Sequence, residues 1–117
     1  MKKFLLFFAF GLFAVAGRTQ TTISIKDAVN HVGKQVTICD SVYSARAMDN
    51  LSLMNLGGKF PKELLTVVVF KADRAKFEKE PVEIFEHQRI CITGTVTLYK
   101  EKLQIVVNDP KQLKLAK

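Results

Sequence analysis

The chain of 117 residues has few of the residue types that most enzymes rely on, with two histidines and two cysteines in all. His31 and His87 stand alone, and neither has a second His or Cys at a metal ligand's spacing, so no zinc site is expected from them. Cys39 and Cys91 lie in no Cys-x-x-Cys motif and have no histidine nearby in sequence, which argues against a reactive thiol. Gly-x-Ser-x-Gly, His-Glu-x-x-His and the phosphate-binding glycine loop are all missing. The acids Asp27, Asp40, Asp49, Asp73 and Asp109 are scattered, with no pair placed to share a metal. These absences together lead us to expect no enzyme, no cofactor and no metal. Internal repeats, low-complexity tracts and long linkers are also lacking. So is an apolar run of the about 20 residues that a membrane-spanning helix needs.

The longest apolar run, Phe4 to Ala16, follows the basic start Met1-Lys2-Lys3 and stops at Gly17-Arg18. That is the outline of a removable export signal, with cleavage expected between Ala16 and Gln20. No cysteine follows the run, so a lipid anchor at that junction is not expected, and no stable membrane anchor remains after cleavage. The expectation is a signal peptide over 1–20 and a single domain over 21–117, exported to a periplasm or secreted. Its 97 residues suffice for one modest core. Loss of Lys2, Lys3 and Arg18 leaves fifteen bases against eleven acids, a net charge near +4. Such a mild excess suits a polyanionic partner, and equally suits a domain charged only for solubility.

Hydrophobic periodicity predicts a mainly β domain. Ser24, with Asp27 three residues on, resembles a capping box that opens a short helix to about His31, ended by Gly33. Val36, Ile38 and Val42 alternate with Thr37, Cys39, Ser41 and Tyr43, as in a half-buried strand running to about Arg46. Asp49-Asn50 reads as a turn, 51–56 as a second strand, 57–61 as a loop and the β-branched run 65–70 as a third strand. Asp73 can cap a short helix through Phe77, and Pro81 suits the first turn of another ending near Phe85. Alternation returns at Ile90, Ile92, Gly94, Val96 and Leu98, and Lys100-Glu101 forms a hairpin turn into a strand over 103–107. The tail from Pro110 is polar and basic and reads as loosely held. Five strands with a helical connection between the third and fourth, behind a short N-terminal helix, is the order of a five-stranded OB-fold barrel.

The residues Lys34-Gln35-Val36-Thr37-Ile38-Cys39-Asp40-Ser41-Val42, then Arg46, Leu53-Met54-Asn55-Leu56-Gly57 and Thr66-Val67-Val68-Val69-Phe70, resemble OB-fold nucleic-acid-binding domains related to the anticodon-binding domains of class II tRNA synthetases. The likeness runs from about Gly33 to Pro110 and is greatest to exported bacterial versions of a single domain. It implies a ligand lying across the second and third strands and the loops that join the first strand to the second and the fourth to the fifth. Arg46 stands where the family places an arginine that reaches the nucleic acid. Asn55 replaces an acid, Leu53 a base-stacking aromatic, Thr66 a base-reading glutamine, and Gly57 an arginine of the anticodon binders. Leu53 has no ring to stack on, so Phe60, Phe70 and Tyr99 are the candidate platforms. His87-Gln88 stands where the family usually has a glycine before the fourth strand, which alters a turn.

The candidate ligand-binding set is therefore Arg46, Leu53, Asn55, Lys59, Phe60, Thr66, Val68 and Phe70, with Lys71, Lys100 and Lys102 flanking the face. Arg46 also fits a solvated strand end, and Phe70 and Tyr99 also fit the rim of a barrel. Cys39 and Cys91 have the same outward parity on strands that are antiparallel neighbours in this fold. A disulfide or two separate thiols both fit, and export permits the bond. The expected partner is single-stranded DNA or RNA, or another polyanion. The rival expectation is a cell-envelope protein or glycan docked on the same face, which Leu53 and Val68 favour as Arg46 and the lysines favour the first.

Overall fold

A computed structural model describes residues 21–116. The segment read as an export signal, and Lys117, lie outside those residues. Among the described residues seven strands form: β1 (Thr21–Ile23), β2 (Gln35–Ala47), β3 (Leu51–Leu56), β4 (Leu65–Phe70), β5 (Arg89–Tyr99), β6 (Lys102–Val106) and β7 (Leu113–Leu115). Five of them pair in a ring. β2 lies antiparallel to β3, β3 to β4, β4 parallel to β6, β6 antiparallel to β5, and β5 antiparallel to β2 again. β1 adds to β2 in parallel and β7 to β5 antiparallel, so the expectation of five strands is corrected to seven.

The ring encloses the alternating apolar residues of its own strands. Ile38, Met54, Leu56, Ile90, Ile92 and Ile105 have no exposed surface. Gly94 belongs to the same inward row, and a Cβ there would meet Ile105 Cγ2 at 2.6 Å, so only a residue without a side chain lets β6 pack closely. Ser24 caps the first helix through Lys26 N, as expected, but the segment Ile25–His31 is a 3-10 helix that puts Ile25 and Ala28 into the core. The connection between β4 and β5 carries α1 (Lys71–Arg74) and α2 (Pro81–Phe85). Asp73 does not cap α1. It sits inside the helix and pairs with Lys76 at 2.9 Å, while Phe70 occupies the N-cap without a side-chain bond. In α2, Pro81 takes the first turn and Glu80 caps it through Val82 N. Phe85 of α2 meets Phe77 edge to face, with centroids 6.3 Å apart.

The tail is ordered, contrary to the loose segment expected from its polarity. Asp109 and Gln112 form a capping box around the 3-10 turn Pro110–Gln112. Gln112 Oε1 accepts from Asn108 N and Asp109 N, and its Nε2 donates to Thr93 O at 2.9 Å, which carries Leu113 into the core beside β5. Lys100 and Glu101 form the expected hairpin turn, both at positive φ. His87 also takes a positive φ, of 63°, at the position where the resembling family has a glycine.

Cys39 and Cys91 are register partners across β2 and β5, with Cα atoms 4.0 Å apart, and they are joined in a disulfide. The bond ties the two strands that close the ring. With a sequence separation of 52, the chain-entropy model assigns it about 4 kcal/mol. Reduction, or the double substitution C39A/C91A, is expected to lower the unfolding free energy by about that amount, measured by guanidinium titration with and without reductant.

Candidate functional site

On the outer face of β2, β3, β4 and β6 lies a groove of about 400 Å³. Beneath it two rows of side chains run in register across the four strands. One row is polar: Ser44, Asn55, Thr66 and Gln104. The neighbouring row is Arg46, Leu53, Val68 and Val106. Rows on one face of a strand are about 6.6 Å apart, and of the second row Arg46 and Leu53 line the groove beside the polar one.

The polar row is internally bonded. Thr66 Oγ1 donates to Asn55 Oδ1 at 3.0 Å, Asn55 Nδ2 donates to Ser44 Oγ at 3.1 Å, and Phe60 N donates to the same hydroxyl at 3.4 Å. These bonds fix Asn55, which is 7% exposed, and leave it one amide hydrogen beyond the one given to Ser44. They also tie the loop 57–64 to the floor. That loop folds back tightly because Gly57 and Gly58 adopt positive φ. A Cβ on Gly57 would strike Leu64, and one on Gly58 the Lys62 carbonyl, each at 2.8 Å.

The loop forms one wall of the groove, with Phe60 and Glu63 facing it. The Phe60 ring stands in solvent, 71% exposed. Lys102, at the start of β6, crosses to the loop and donates to Pro61 O at 2.9 Å and to Glu63 Oε2 at 3.1 Å. The Glu63 side chain is only 5% exposed, and its Oε1 has no partner among the described residues. Met48 lines the groove from the turn between β2 and β3. That turn is held from behind by Arg74, which donates to the carbonyls of Met48 and Asp49 at 2.7 and 2.9 Å, to Ser52 Oγ at 3.2 Å and to Glu80 Oε1 at 3.1 Å.

Of the eight residues expected to bind ligand, Arg46, Leu53, Asn55, Phe60 and Thr66 line this groove. The other three are placed elsewhere. Val68 shares the floor's outer row but is 3% exposed, flanked in register by Leu53 and Val106, so it offers no surface to a ligand. Phe70 lies four residues along β4 from Thr66, about 13 Å away, beside Leu51. Lys59 is exposed on the loop but does not line the groove. Lys102 is engaged with the loop, Lys100 lies over the Tyr99 ring at 5.3 Å, and Lys71 is outside the groove. Sequence reasoning missed Ser44, Ala45, Met48, Glu63, Leu103 and Gln104. Gln104 could have been found by parity, two residues beyond Lys102 on the outward face of β6. Nothing local marks Glu63. Among the described residues, no three His, Cys, Asp or Glu side chains gather as a metal site would require.

No family model and no curated protein matches the chain in sequence. Solved structures do match in shape. An aspartyl-tRNA synthetase from Entamoeba histolytica superposes with a TM-score of 0.57 at 19% identity, over 86% of this chain and 23% of that one. The Stn1–Ten1 complex of S. pombe gives 0.54 at 10% identity, over 70% of this chain and 57% of that one. An OBody bound to hen egg-white lysozyme gives 0.58 at 12% identity, over 85% of this chain and 94% of that one. The chain is thus OB-fold-like, and it spans about a quarter of the synthetase and just over half of the Stn1–Ten1 chain.

The Arg74 clamp yields a prediction for the groove's far edge. Arg74 and Glu80 are each only about a fifth exposed, so Arg74→Met strands a carboxylate and three carbonyls. We expect a loss of about 2 kcal/mol in urea unfolding, partly recovered in R74M/E80Q, where no unpaired charge remains.

Proposed function

We propose that the protein is an exported OB-fold-like module that binds single-stranded nucleic acid, or another polyanion, on the outer face of β2, β3 and β4, without catalysing a reaction. The observation that carries the reading is the composition of one groove. It has a cation at one side in Arg46, an exposed ring at the other in Phe60, and a fixed polar row between them. A strand of nucleic acid needs these three things: a charge for its phosphates, a face on which a base stacks, and groups for base edges. Arg46 has no salt-bridge partner among the described residues, so its charge is open to a phosphate. The fold neighbours add support, since the Entamoeba protein is by name an enzyme that acts on tRNA.

Export rests on the basic and apolar N-terminal segment and is supported by the Cys39–Cys91 disulfide, a bond that persists in oxidising compartments. Intact-mass measurement of the protein recovered from the periplasm or medium of an expressing bacterium is expected to give a chain that begins between Gly17 and Thr21. Recovery of the uncleaved precursor in the cytoplasm or membrane overturns export.

Binding is tested by fluorescence anisotropy of the oxidised domain with labelled single-stranded DNA and RNA at low and physiological salt. Affinity is expected to fall with salt, to fall again in Arg46→Ala with a salt slope shallower by about one, and to drop by about 1–3 kcal/mol in Phe60→Ala. A complex indifferent to salt and to Arg46 but dependent on Leu53 sinks this reading. That pattern is what apolar docking of an envelope protein or glycan requires.

A further inference from the structure

A carboxylate is an odd component of a site for a polyanion. Glu63 lines the groove with its side chain 95% withdrawn from solvent; one oxygen is held by Lys102 and the other, Oε1, is without a partner among the described residues. A buried acceptor left unpaired is costly, and the groove contains nothing of the protein's own that reaches it. A phosphate brought to this wall would be repelled. A group bearing an N–H would be attracted, and more strongly than by a neutral acceptor, because the hydrogen bond is charge-assisted.

We propose that Glu63 accepts a hydrogen bond from the Watson–Crick edge of an unpaired nucleobase, so that the groove takes a strand with its bases turned to the loop wall and its phosphates toward Arg46. This rests on the nucleic-acid reading above and narrows it. The ligand is a strand with free base edges, and neither a duplex, whose edges are paired, nor a base-less polyanion fills the site in the same way. Three features of the groove agree. Glu63 and Arg46 belong to opposite sides of the polar row, Glu63 on the loop wall through its bond to Lys102, and Arg46 in the row beyond Asn55. Between them the second amide hydrogen of Asn55, the Thr66 hydroxyl and Gln104 offer further groups to a base edge. Phe60, on the same wall as Glu63, supplies the ring for that base. Lys102 orients the carboxylate, giving two of its three N–H groups to Pro61 O and Glu63 Oε2; Oε1 is itself buried, so a base reaches it only if the half-exposed Lys102 side chain turns aside.

The test turns on a sign. If the groove senses only phosphate charge, removing an acid from it strengthens binding to every polyanion. If Glu63 accepts from a base, its removal weakens binding to strands that have bases and not to those without. Oligothymidylate and an abasic strand of equal length are titrated against the wild type and Glu63→Ala, with thermal melts to check folding. We expect Glu63→Ala to bind oligothymidylate about tenfold more weakly and the abasic strand as well as or better than the wild type. As a second measurement that needs no variant, wild-type protein is titrated with oligothymidylate methylated at N3, which keeps every phosphate and ring but removes the imino donor. We expect about a tenfold loss. Equal or tighter binding of oligothymidylate by Glu63→Ala, or equal wild-type affinity for the methylated strand, overturns the role of Glu63 while leaving the nucleic-acid reading intact. Failure of the wild type to bind any of the strands overturns both.

Discussion

The outer face of this protein depends on one extra residue in β2. The strand begins as a partner of β5 and ends as a partner of β3, and at the change of partner its register slips: Val42 faces Leu56, but Ser44 faces Asn55. Tyr43 is the additional residue, a β-bulge. Because side chains alternate with a period of two, one inserted residue exchanges the faces of everything after it. Without the bulge, Ser44 and Arg46 would continue the inward row of Val36, Ile38 and Val42, and a guanidinium would be driven into the core. With it, Ala45 packs inward against Met54, and Ser44 and Arg46 enter the two rows of the groove floor. The same bulge sharpens the bend by which β2 serves both sides of the ring.

A strand so bent needs its ends secured, and the molecule does this with two different kinds of bond. Toward the first half of β2, the Cys39–Cys91 disulfide fixes the strand to β5 by a covalent link, insensitive to salt and sensitive to redox poise. Toward the second half, Arg74 gathers the carbonyls of the β2–β3 turn and delivers its charge to Glu80, which caps α2 at the same time. The helices between β4 and β5 are therefore more than a connection: they brace the turn that carries Met48 to the groove. Each brace is local, yet both act on the geometry of the floor, because the floor is made of the strands they hold.

Much of the fold was legible in the sequence because the longer strands carry a period-two or β-branched signal of their own. Leu51–Leu56 and Leu65–Phe70 fall on the residues that the apolar pattern indicates, and Pro81 opens α2 where a first-turn proline belongs. What the pattern did not disclose has specific causes. β1 is three residues long and only becomes a strand by pairing with β2, so no local alternation marks it. The tail looked loose because its polarity was weighed, whereas Asp109, Pro110 and Gln112 are a capping box with a proline at its first position and Leu113 is the apolar anchor. The site was half legible. Arg46, Leu53, Asn55 and Thr66 came through the family resemblance; parity alone carries Arg46 into the inward row of Val36, Ile38 and Val42, because nothing local marks the bulge. Val68 shares the parity of Thr66 and is nonetheless sealed, since parity says which face a side chain takes and nothing about what flanks it.

Glu63 shows where reading by element ends. It belongs to a loop, its partner Lys102 is 39 residues away, and the two meet only because β6 lies beside β4 in the ring. The meeting has a chemical consequence for the whole groove. In a domain with a mild basic excess, long-range attraction to polyanions is weak and screened within about 10 Å at 0.1 M salt, so it can bring a ligand close but cannot choose among ligands. Choice has to come from short-range groups held in fixed positions. The bonded row Ser44–Asn55–Thr66 holds such groups on the floor, and the Lys102–Glu63 pair holds one on the wall. A carboxylate there subtracts from the attraction for phosphate. Under the proposed reading, its presence beside an exposed ring is what would let the groove favour bases over charge alone.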